Sequence, residues 1–339
     1  TVEPRTTDFE IFKALENRGE LTLQVQGARD MDSTQDIDIQ LELMKQKKAQ
    51  YESELIKFTT AKFFIDGVIE SVTAFLSEPY GAAAEKSTDY KGKAFWTFEK
   101  LSLAFKRCME EGFQIYCHTI GDGAAHLALD ALEDAYERMG IDRTQLAQYR
   151  NTLTHLQLIG AKDIERMSRM KIIAGVQPYW HYKSPTMWWS LEYPFLGARA
   201  EAQYPLASLL RAGILLVASS DYPVTPEPNP FFAIQAGVTR NLYHAAEFNL
   251  EEITDMDDPK YLLNPSERIS VEEMIRAFTV NAAFARFEEN VAGSLEVGKF
   301  ADFIVIDRDP FVVDPLALQN ITIEETVFRG KTVYSLKKN

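Results

Sequence analysis

The chain has 339 residues, of which 46% are hydrophobic and 25% charged, and its formal net charge is −14. This length can bury a large core, as one α/β domain or a domain with a small appendage, and the ordinary composition does not indicate disorder. The negative charge argues against binding to nucleic acid, because the phosphates would be repelled.

Membrane insertion and secretion are not expected either. No apolar stretch approaches the roughly 18 residues needed to span a bilayer, and the first residues lack signal-peptide character. The two cysteines, Cys108 and Cys117, fall in a helical pattern and in a strand pattern. They offer no disulfide framework, so a reducing compartment and a cytoplasmic location are predicted.

Helical and strand patterns alternate along the chain, and several of the helical segments stop at a glycine. Helices are predicted over 8–18, 37–54, 97–111, 123–139, 161–170, 204–212 and 270–286. Strands are predicted over 21–26, 61–66, 113–118, 151–156, 171–177 and 214–220.

This alternation predicts parallel strands joined by crossover helices. An open doubly wound sheet and a (β/α) barrel both fit the pattern. The chain has neither the glycine-rich dinucleotide motif nor a P-loop, which weakens the open-sheet alternative. Polar residues end several strands, as in barrels, where catalytic groups gather at the carboxyl ends of the strands. We therefore predict an α/β fold of the (β/α)8 TIM-barrel type, with about six strands present in this chain.

The pattern changes near the carboxyl end. Residues 293–307 and 325–334 alternate in hydrophobicity at period two around glycine turns, which is typical of β-hairpins. We predict a barrel domain over 1–286 and a small β-sandwich segment over 287–339.

Three polar residues close short apolar runs: His118 ends 113–118, His155 ends 151–155, and Asp221 ends 214–221. Neighbouring strand ends in a barrel mouth are close enough for such side chains to converge on one divalent metal, which takes imidazole and carboxylate ligands. The alternatives are hydrogen-bonded structural histidines and an aspartate that caps a turn.

Lys62 begins the otherwise apolar predicted strand. It could lie at a strand edge and reach water through its long side chain. It could instead be a buried amine whose pKa falls through desolvation. Such an amine can take up carbon dioxide and bridge two metals as a carbamate.

Six segments together resemble the amidohydrolase superfamily, and within it the YtcJ-like amidohydrolases, which are relatives of N-substituted formamide deformylase. The segments are 62–71, 117–124, 154–157, 220–224, 280–283 and 293–302. The resemblance runs from about residue 8 to 335 and keeps the family's order of motifs.

The resemblance implies a barrel with a flanking β-sandwich and a centre of one or two divalent metals, with zinc expected and iron or manganese as alternatives. Such a centre hydrolyses non-peptide carbon–nitrogen bonds in small amide-type substrates by means of a metal-activated water. Carried over by motif, Lys62 is the bridging, carboxylated lysine, and His118 and His155 are metal ligands. Asp221 is both a metal ligand and the general base, which later protonates the leaving nitrogen.

Two departures from the family pattern stand out. Thr154 occupies the position before the second histidine, where the family usually has glutamate. The family's first barrel strand also carries a His-x-His pair, which this chain lacks. By the family's layout, the segment 21–26 corresponds to the third barrel strand. We therefore expect a fragment, or a chain that a missing N-terminal segment or a second copy completes.

Two hypotheses follow. The chain is a metal-dependent hydrolase, or it is a catalytically incompetent fragment or homologue with a binding or regulatory role. For the first hypothesis, the aromatic residues of loop 179–193, among them Tyr179 and Trp180, are expected to line the substrate pocket, and the alternative is packing at the barrel rim. Arg240 is expected to contact the substrate or the residues behind the metal ligands.

Overall fold

In the computed structural model, residues 6–336 are described, with side chains from Phe9 onward. The strands are β1 Val25–Asp30, β2 Ile56–Phe64, β3 Gln114–Thr119, β4 Thr152–His155, β5 Ile173–Val176, β6 Leu216–Ala218, β7 Phe303–Ile306, β8 Ile323–Phe328 and β9 Lys331–Ser335. The α-helices are α1 Thr6–Asn17, α2 Ile37–Tyr51, α3 Phe98–Glu110, α4 Asp122–Met139, α5 Ala161–Met170, α6 Tyr193–Leu196, α7 Leu206–Arg211, α8 Pro230–Thr239, α9 Val271–Phe278 and α10 Val280–Ala285.

Strands β1 to β6 form one parallel sheet in the order β1-β2-β3-β4-β5-β6. Strands β7, β8 and β9 form a separate antiparallel sheet. The predicted α/β class, with six strands of a TIM-type barrel and a small C-terminal β segment, is therefore confirmed. None of the helices within residues 6–336 combines the length and apolarity that crossing a bilayer requires.

The helices begin and end where the sequence supplies caps. The side chain of Thr97 accepts a hydrogen bond from the backbone N–H of Lys100 at the start of α3. Helix α4 ends at Gly140, which adopts the left-handed conformation (φ 66°) that costs glycine little. At the start of α4 the cap is Gly121, and Asp122 is the first helical residue.

The described residues form two compact units. The first comprises the chain up to Tyr80 together with Ser87–Ala174. It contains β1 to β4, and the register pairs Phe64 with His118 and Thr119 with His155. Because the pairing is parallel and in step, the carboxyl ends of β2, β3 and β4 lie at the same edge of the sheet.

Strand β1 differs from its prediction, since it covers Val25–Asp30 rather than 21–26. The sequence pattern does not predict this strand, because the strand contains Gly27 and ends in an aspartate, and both residue types are uncommon in strands. The structure gives Gly27 a packing reason: a Cβ there would lie 2.2 Å from Cζ of Phe9.

The second unit comprises Gly81–Lys86 and the chain from Gly175 onward. Helix α8 is almost entirely buried. Phe232 on this helix joins Tyr179, Leu242, Tyr243 and their neighbours in an aromatic core. The antiparallel sheet lies after residue 286, and the domain boundary predicted there stays a prediction.

Candidate active site

Lys62 lies near the end of β2, as the seventh of its nine residues, and not at the beginning of a strand as predicted. Its side chain is buried, with 2% of the residue exposed. The ammonium nitrogen lies 4.7 Å from the ring centroid of Phe64 and 5.0 Å from that of Tyr116. Of the two alternatives for Lys62, the buried amine therefore matches its environment, because the amine does not reach water.

His118, in β3, is buried next to His155, and the centroids of the two rings lie 4.5 Å apart. Its Nε2 lies 2.9 Å from the carbonyl oxygen of Gly67. A carbonyl only accepts, so Nε2 carries the hydrogen and Nδ1 keeps its lone pair. Burial, with a smaller effect from the charge on Lys62, lowers the pKa of His118 to about 4. The imidazole is therefore neutral near pH 7, which is the form that binds metals.

His155 is the last residue of β4 and is also buried. Its φ is 74°, and the next residue, Leu156, has a φ of 49°. Two successive non-glycine residues in this region cost roughly 1–2 kcal/mol each. The N–H of Leu156 donates to the carbonyl of Thr119, 2.9 Å away, which helps to hold the turn. Backbone strain of this kind is common at functional sites.

Asp66 is a residue to which the sequence analysis gave no role. It is fully buried and accepts hydrogen bonds from the backbone N–H groups of Phe75, Ile120 and Gly121. One of its oxygens lies 3.8 Å from Nε2 of His118. Burial raises the pKa of Asp66 to about 7, although the backbone hydrogen bonds act in the opposite direction.

A signal for Asp66 was available in the sequence. It directly follows the apolar run 63–65, as the other polar candidates follow theirs. The structure shows that its carboxylate joins two backbone segments, at Phe75 and at Ile120–Gly121, near His118. We infer that Asp66 positions the loop on which the histidine depends.

Asp221 lies in the second unit, three residues beyond the end of β6. It is half-buried and has a φ of 54°. Its carbonyl accepts a hydrogen bond from the N–H of Val224, and the N–H of Tyr222 donates to Oγ of Ser220. Asp221 therefore starts a tight turn, and its role as metal ligand and general base stays a prediction.

The two aromatic residues predicted to bind substrate pack in the second unit. Tyr179 is buried, and its carbonyl accepts a hydrogen bond from the hydroxyl of Tyr243. Trp180 is partly buried against the same aromatic core. These contacts are with protein, as the rim-packing alternative expects, and contact of either residue with substrate stays a prediction.

Arg240 is fully buried in the second unit. Its guanidinium donates to the carbonyl of Leu263, 3.0 Å from Nε, and to that of Gln203, 2.9 Å from Nη2. Its third nitrogen, Nη1, has no hydrogen-bond partner within residues 6–336. The guanidinium thus joins two segments of backbone, and its contact with substrate is also still a prediction.

A cavity of about 540 Å³ lies in the second unit. It involves one end of the predicted aromatic loop, including Trp189, but neither Tyr179 nor Trp180. Its lining is Pro185, Thr186, Trp189, Glu247, Phe248, Asn249, Leu250, Lys260 and Tyr261.

The first unit therefore brings together Lys62, His118, His155 and Asp66. Two buried imidazoles, at least one of them neutral, are suitable donors for a divalent metal. The lone pair left on Nδ1 of His118 and the carbonyl that fixes its tautomer match the way metal-binding histidines are usually oriented. The residues present fit a metal centre, with the His-x-His pair missing from the set.

A parallel α/β sheet whose strand ends carry buried imidazoles and a buried lysine defines a TIM-type protein with a polar site at the strand ends. The chain belongs to the amidohydrolase family, whose sequence model matches residues 4–334. This confirms the resemblance inferred from the motifs.

The chain is similar to several known proteins. It is 30% identical over 280 residues to the putative amidohydrolase YtcJ of Bacillus subtilis (strain 168), a match that covers 82% of this chain and 47% of that protein. It is 22% identical over 285 residues to N-substituted formamide deformylase of Arthrobacter pascens, a match that covers 84% of this chain and 47% of that protein. A solved structure of an uncharacterized metal-dependent hydrolase from Pyrococcus furiosus shares the fold, with a TM-score of 0.68 and a sequence identity of 24%. The match covers 91% of this chain and 55% of that one. The chain thus spans about half the length of the curated relatives it matches.

Proposed function

We propose that the chain carries most of the active site of a hydrolase that cleaves non-peptide carbon–nitrogen bonds in small amides or formamides. The observation that carries the proposal is the buried His118–His155 pair at the ends of neighbouring strands, beside the buried Lys62. Membership of the amidohydrolase family and the similarity to a formamide deformylase support the choice of bond.

When bound, a divalent metal supplies Lewis acidity and lowers the pKa of water. His118 would hold it through Nδ1, with His155, Lys62 and Asp221 as further ligands. Asp221 would take a proton from the attacking water and deliver it to the leaving nitrogen. Asp66 keeps the loop beside His118 in place through its three backbone hydrogen bonds.

The finer assignments belong to the same proposal. They are a centre of one or two ions with zinc preferred, a carboxylated Lys62, a cytoplasmic location and substrate contacts from Tyr179, Trp180 and Arg240. A second copy of the chain or a further segment would supply the ligands that the absent His-x-His pair provides in the family.

A specific observation favours a second candidate. Thr154 stands before His155, at the position where the family usually has glutamate, so an acidic group that would orient this ligand is missing. A chain that keeps the fold and has lost turnover would instead serve in binding or regulation.

Metal analysis and a hydrolysis assay separate the two. The purified chain, His118→Asn and Asp221→Asn are loaded with Zn²⁺, Mn²⁺ or Fe²⁺ and assayed on N-formyl and N-acyl amines. We expect His118→Asn to bind less metal than wild type, because the ion held by His118 is lost. Asp221→Asn should lower turnover by about 10²–10⁴-fold, as expected for loss of a general base.

His126→Asn is the matched control, because that ring is exposed and pairs with Asp163 at 3.1 Å. It should keep both metal and activity. If wild type hydrolyses none of these amines and binds no more metal than His118→Asn, the binding or regulatory candidate replaces the hydrolase.

A further inference from the structure

A second group of metal-ligating side chains lies in the second unit, on residues that the proposed hydrolase does not use. Ligand atoms of Glu227, His244 and Glu247 all lie within 4.8 Å of one another. Nδ1 of His244 is 3.3 Å from Oε1 of Glu247 and 4.0 Å from Oε2 of Glu227. Glu227 belongs to the loop after Asp221, and Glu247 belongs to the 3₁₀-helix Ala245–Phe248.

The histidine nitrogen that faces both carboxylates is an independent sign of a ligand. Although 32% of the His244 side chain is exposed, its Nδ1 is inaccessible to solvent, and its contacts with the two glutamates do not have hydrogen-bond geometry, so it makes no hydrogen bond among residues 6–336. A buried polar atom without a partner is uncommon and costs free energy unless an ion or water satisfies it.

The fold holds His244 firmly. Its backbone N–H donates to Oε1 of Gln319 over 2.6 Å, and its ring lies 4.9 Å from that of Phe232. Its φ of 51° lies in the left-handed region, which is unfavourable for a non-glycine residue. The imidazole is therefore kept between the two glutamates at an energetic cost.

His126 also lies beside carboxylates, but the charges around it differ from those around His244. His126 contacts Asp163, but the guanidinium of Arg166 also bonds Asp163 and Asp130 and supplies positive charge to that cluster. Within the described ranges, neither Glu227 nor Glu247 has an ion pair with lysine or arginine. Their two negative charges thus match a divalent cation.

We propose that Glu227, His244 and Glu247 bind a divalent transition-metal ion such as Zn²⁺. At metal–ligand distances of about 2.0–2.2 Å, adjacent ligand atoms lie roughly 3.0–3.6 Å apart. The distance between Glu247 and His244 already falls in this range. Rotation of the exposed Glu227 side chain would shorten the distance between Glu227 and His244 into it. One nitrogen and two oxygens suit this class of metal, and water completes the coordination.

Such an ion links the loop that follows Asp221 to the 3₁₀-helix Ala245–Phe248. The predicted consequence is a metal-dependent restriction of the turn from which Asp221 projects. This site is distinct in its ligands from the centre assigned to His118 and His155, so its existence does not depend on the proposed hydrolase.

The test uses the full chain with His118→Asn and His155→Asn together, which removes the ligands of the proposed catalytic centre. Zn²⁺ binding is measured by competition with a chromogenic chelator, and the visible spectrum of added Co²⁺ reports the ligands. We expect one equivalent of Zn²⁺ in this background. A further His244→Asn, Glu227→Gln or Glu247→Gln should weaken its affinity by at least about ten-fold, and a further His126→Asn should leave it unchanged.

Circular dichroism checks that each variant is folded. If His244→Asn does not fold, the two exposed glutamate variants decide the question, because their substitution removes no buried contact. Absence of a Zn²⁺ equivalent in the background variant, or an equivalent that survives all three substitutions, overturns the proposal. Neither readout involves hydrolysis, so failure here is distinguishable from failure of the proposed function.

Discussion

His118 and His155 meet edge to face, with ring centroids 4.5 Å apart and ring planes inclined by 67°. The register pairs His118 with Thr154, so in two regular strands the next residue, His155, would point to the opposite face. The positive φ of His155 breaks this alternation at the strand end. We infer that local backbone strain redirects the second imidazole toward the first.

The first prediction concerns pH. In the folded, metal-free chain the pKa of His118 falls to about 4 from its ordinary 6.5, mainly because the ring is buried. Between these values the unfolded chain binds more protons, so the stability that the neutral ring contributes is complete above pH 6.5 and disappears as pH falls to 4. The free energy of unfolding contributed by His118 should fall by up to about 3 kcal/mol over this window.

The measurement is urea unfolding of wild type and His118→Asn from about pH 4 to 7, with chelator present. Asp66 acts in the opposite direction, since burial raises its pKa to about 7. The informative quantity is therefore the difference in free energy of unfolding between wild type and His118→Asn at each pH. A difference that stays constant over the window would contradict the assignment of a buried neutral imidazole.

The second prediction concerns Gly121, within the motif that follows His118. A Cβ at this position would lie 2.0 Å from the carbonyl oxygen of Phe75, a backbone atom that cannot move aside cheaply. The N–H of Gly121 also donates to Asp66. Gly121→Ala should lower the free energy of unfolding by about 2–4 kcal/mol, because the Phe75 segment and the bond to Asp66 are both displaced.

Gly160→Ala is the matched control. Gly160 also caps the start of a helix with a negative φ, and a Cβ there meets nothing within 4 Å. Its substitution should change stability by less than about 0.5 kcal/mol. Equal losses for the two variants would show that helix capping, and not the close approach to Phe75, determines the effect.

The sequence predicted the parts of the site that depend on local pattern. His118 and His155 follow short β-rich runs, and the structure places both at the ends of adjacent parallel strands. Lys62 was assigned to the wrong end of its strand, because Lys57, Thr59 and Thr60 mask the first half of β2. The apolar residues beside it left burial and exposure at a strand edge as open alternatives, and the structure shows that Lys62 is buried.

Other features depend on contacts that a local pattern does not encode. Histidine adopts positive φ more often than most non-glycine residues, but the sequence does not show which histidine does so, and the surroundings of His155 determine its φ. The Glu227–His244–Glu247 group combines the loop after Asp221 with the start of the 3₁₀-helix Ala245–Phe248, and no local sequence pattern brings these two segments together. The hydrogen bonds of Asp66 likewise come from residues on two distant segments.

The third prediction concerns the two cysteines. Cys108 and Cys117 are free and buried, and burial raises the pKa of both thiols well above the ordinary value. Since the thiolate is the reactive form, Ellman's reagent should reach them only through unfolding. We expect no rapid reaction in the native chain and two thiols in concentrated guanidinium chloride. Ser87→Cys, at an exposed position, should add one thiol that reacts rapidly in the native chain, before either of the buried thiols.

The fourth prediction tests whether Arg240 acts through structure or through substrate. A lysine cannot reach both the Leu263 and the Gln203 carbonyl, so Arg240→Lys should cost about 2–4 kcal/mol of unfolding free energy. Arg211→Lys is the control: that guanidinium is 64% exposed, donates to Oγ of Ser208 and lies 3.5 Å from Oε1 of Glu267, and because lysine keeps the positive charge, the substitution should cost less than about 0.5 kcal/mol. Urea unfolding gives the stabilities, and KM for an N-formyl amine gives the substrate effect. Unchanged stability with a raised KM would assign Arg240 to the substrate, because a guanidinium that only joins backbone segments cannot be replaced without a loss of stability.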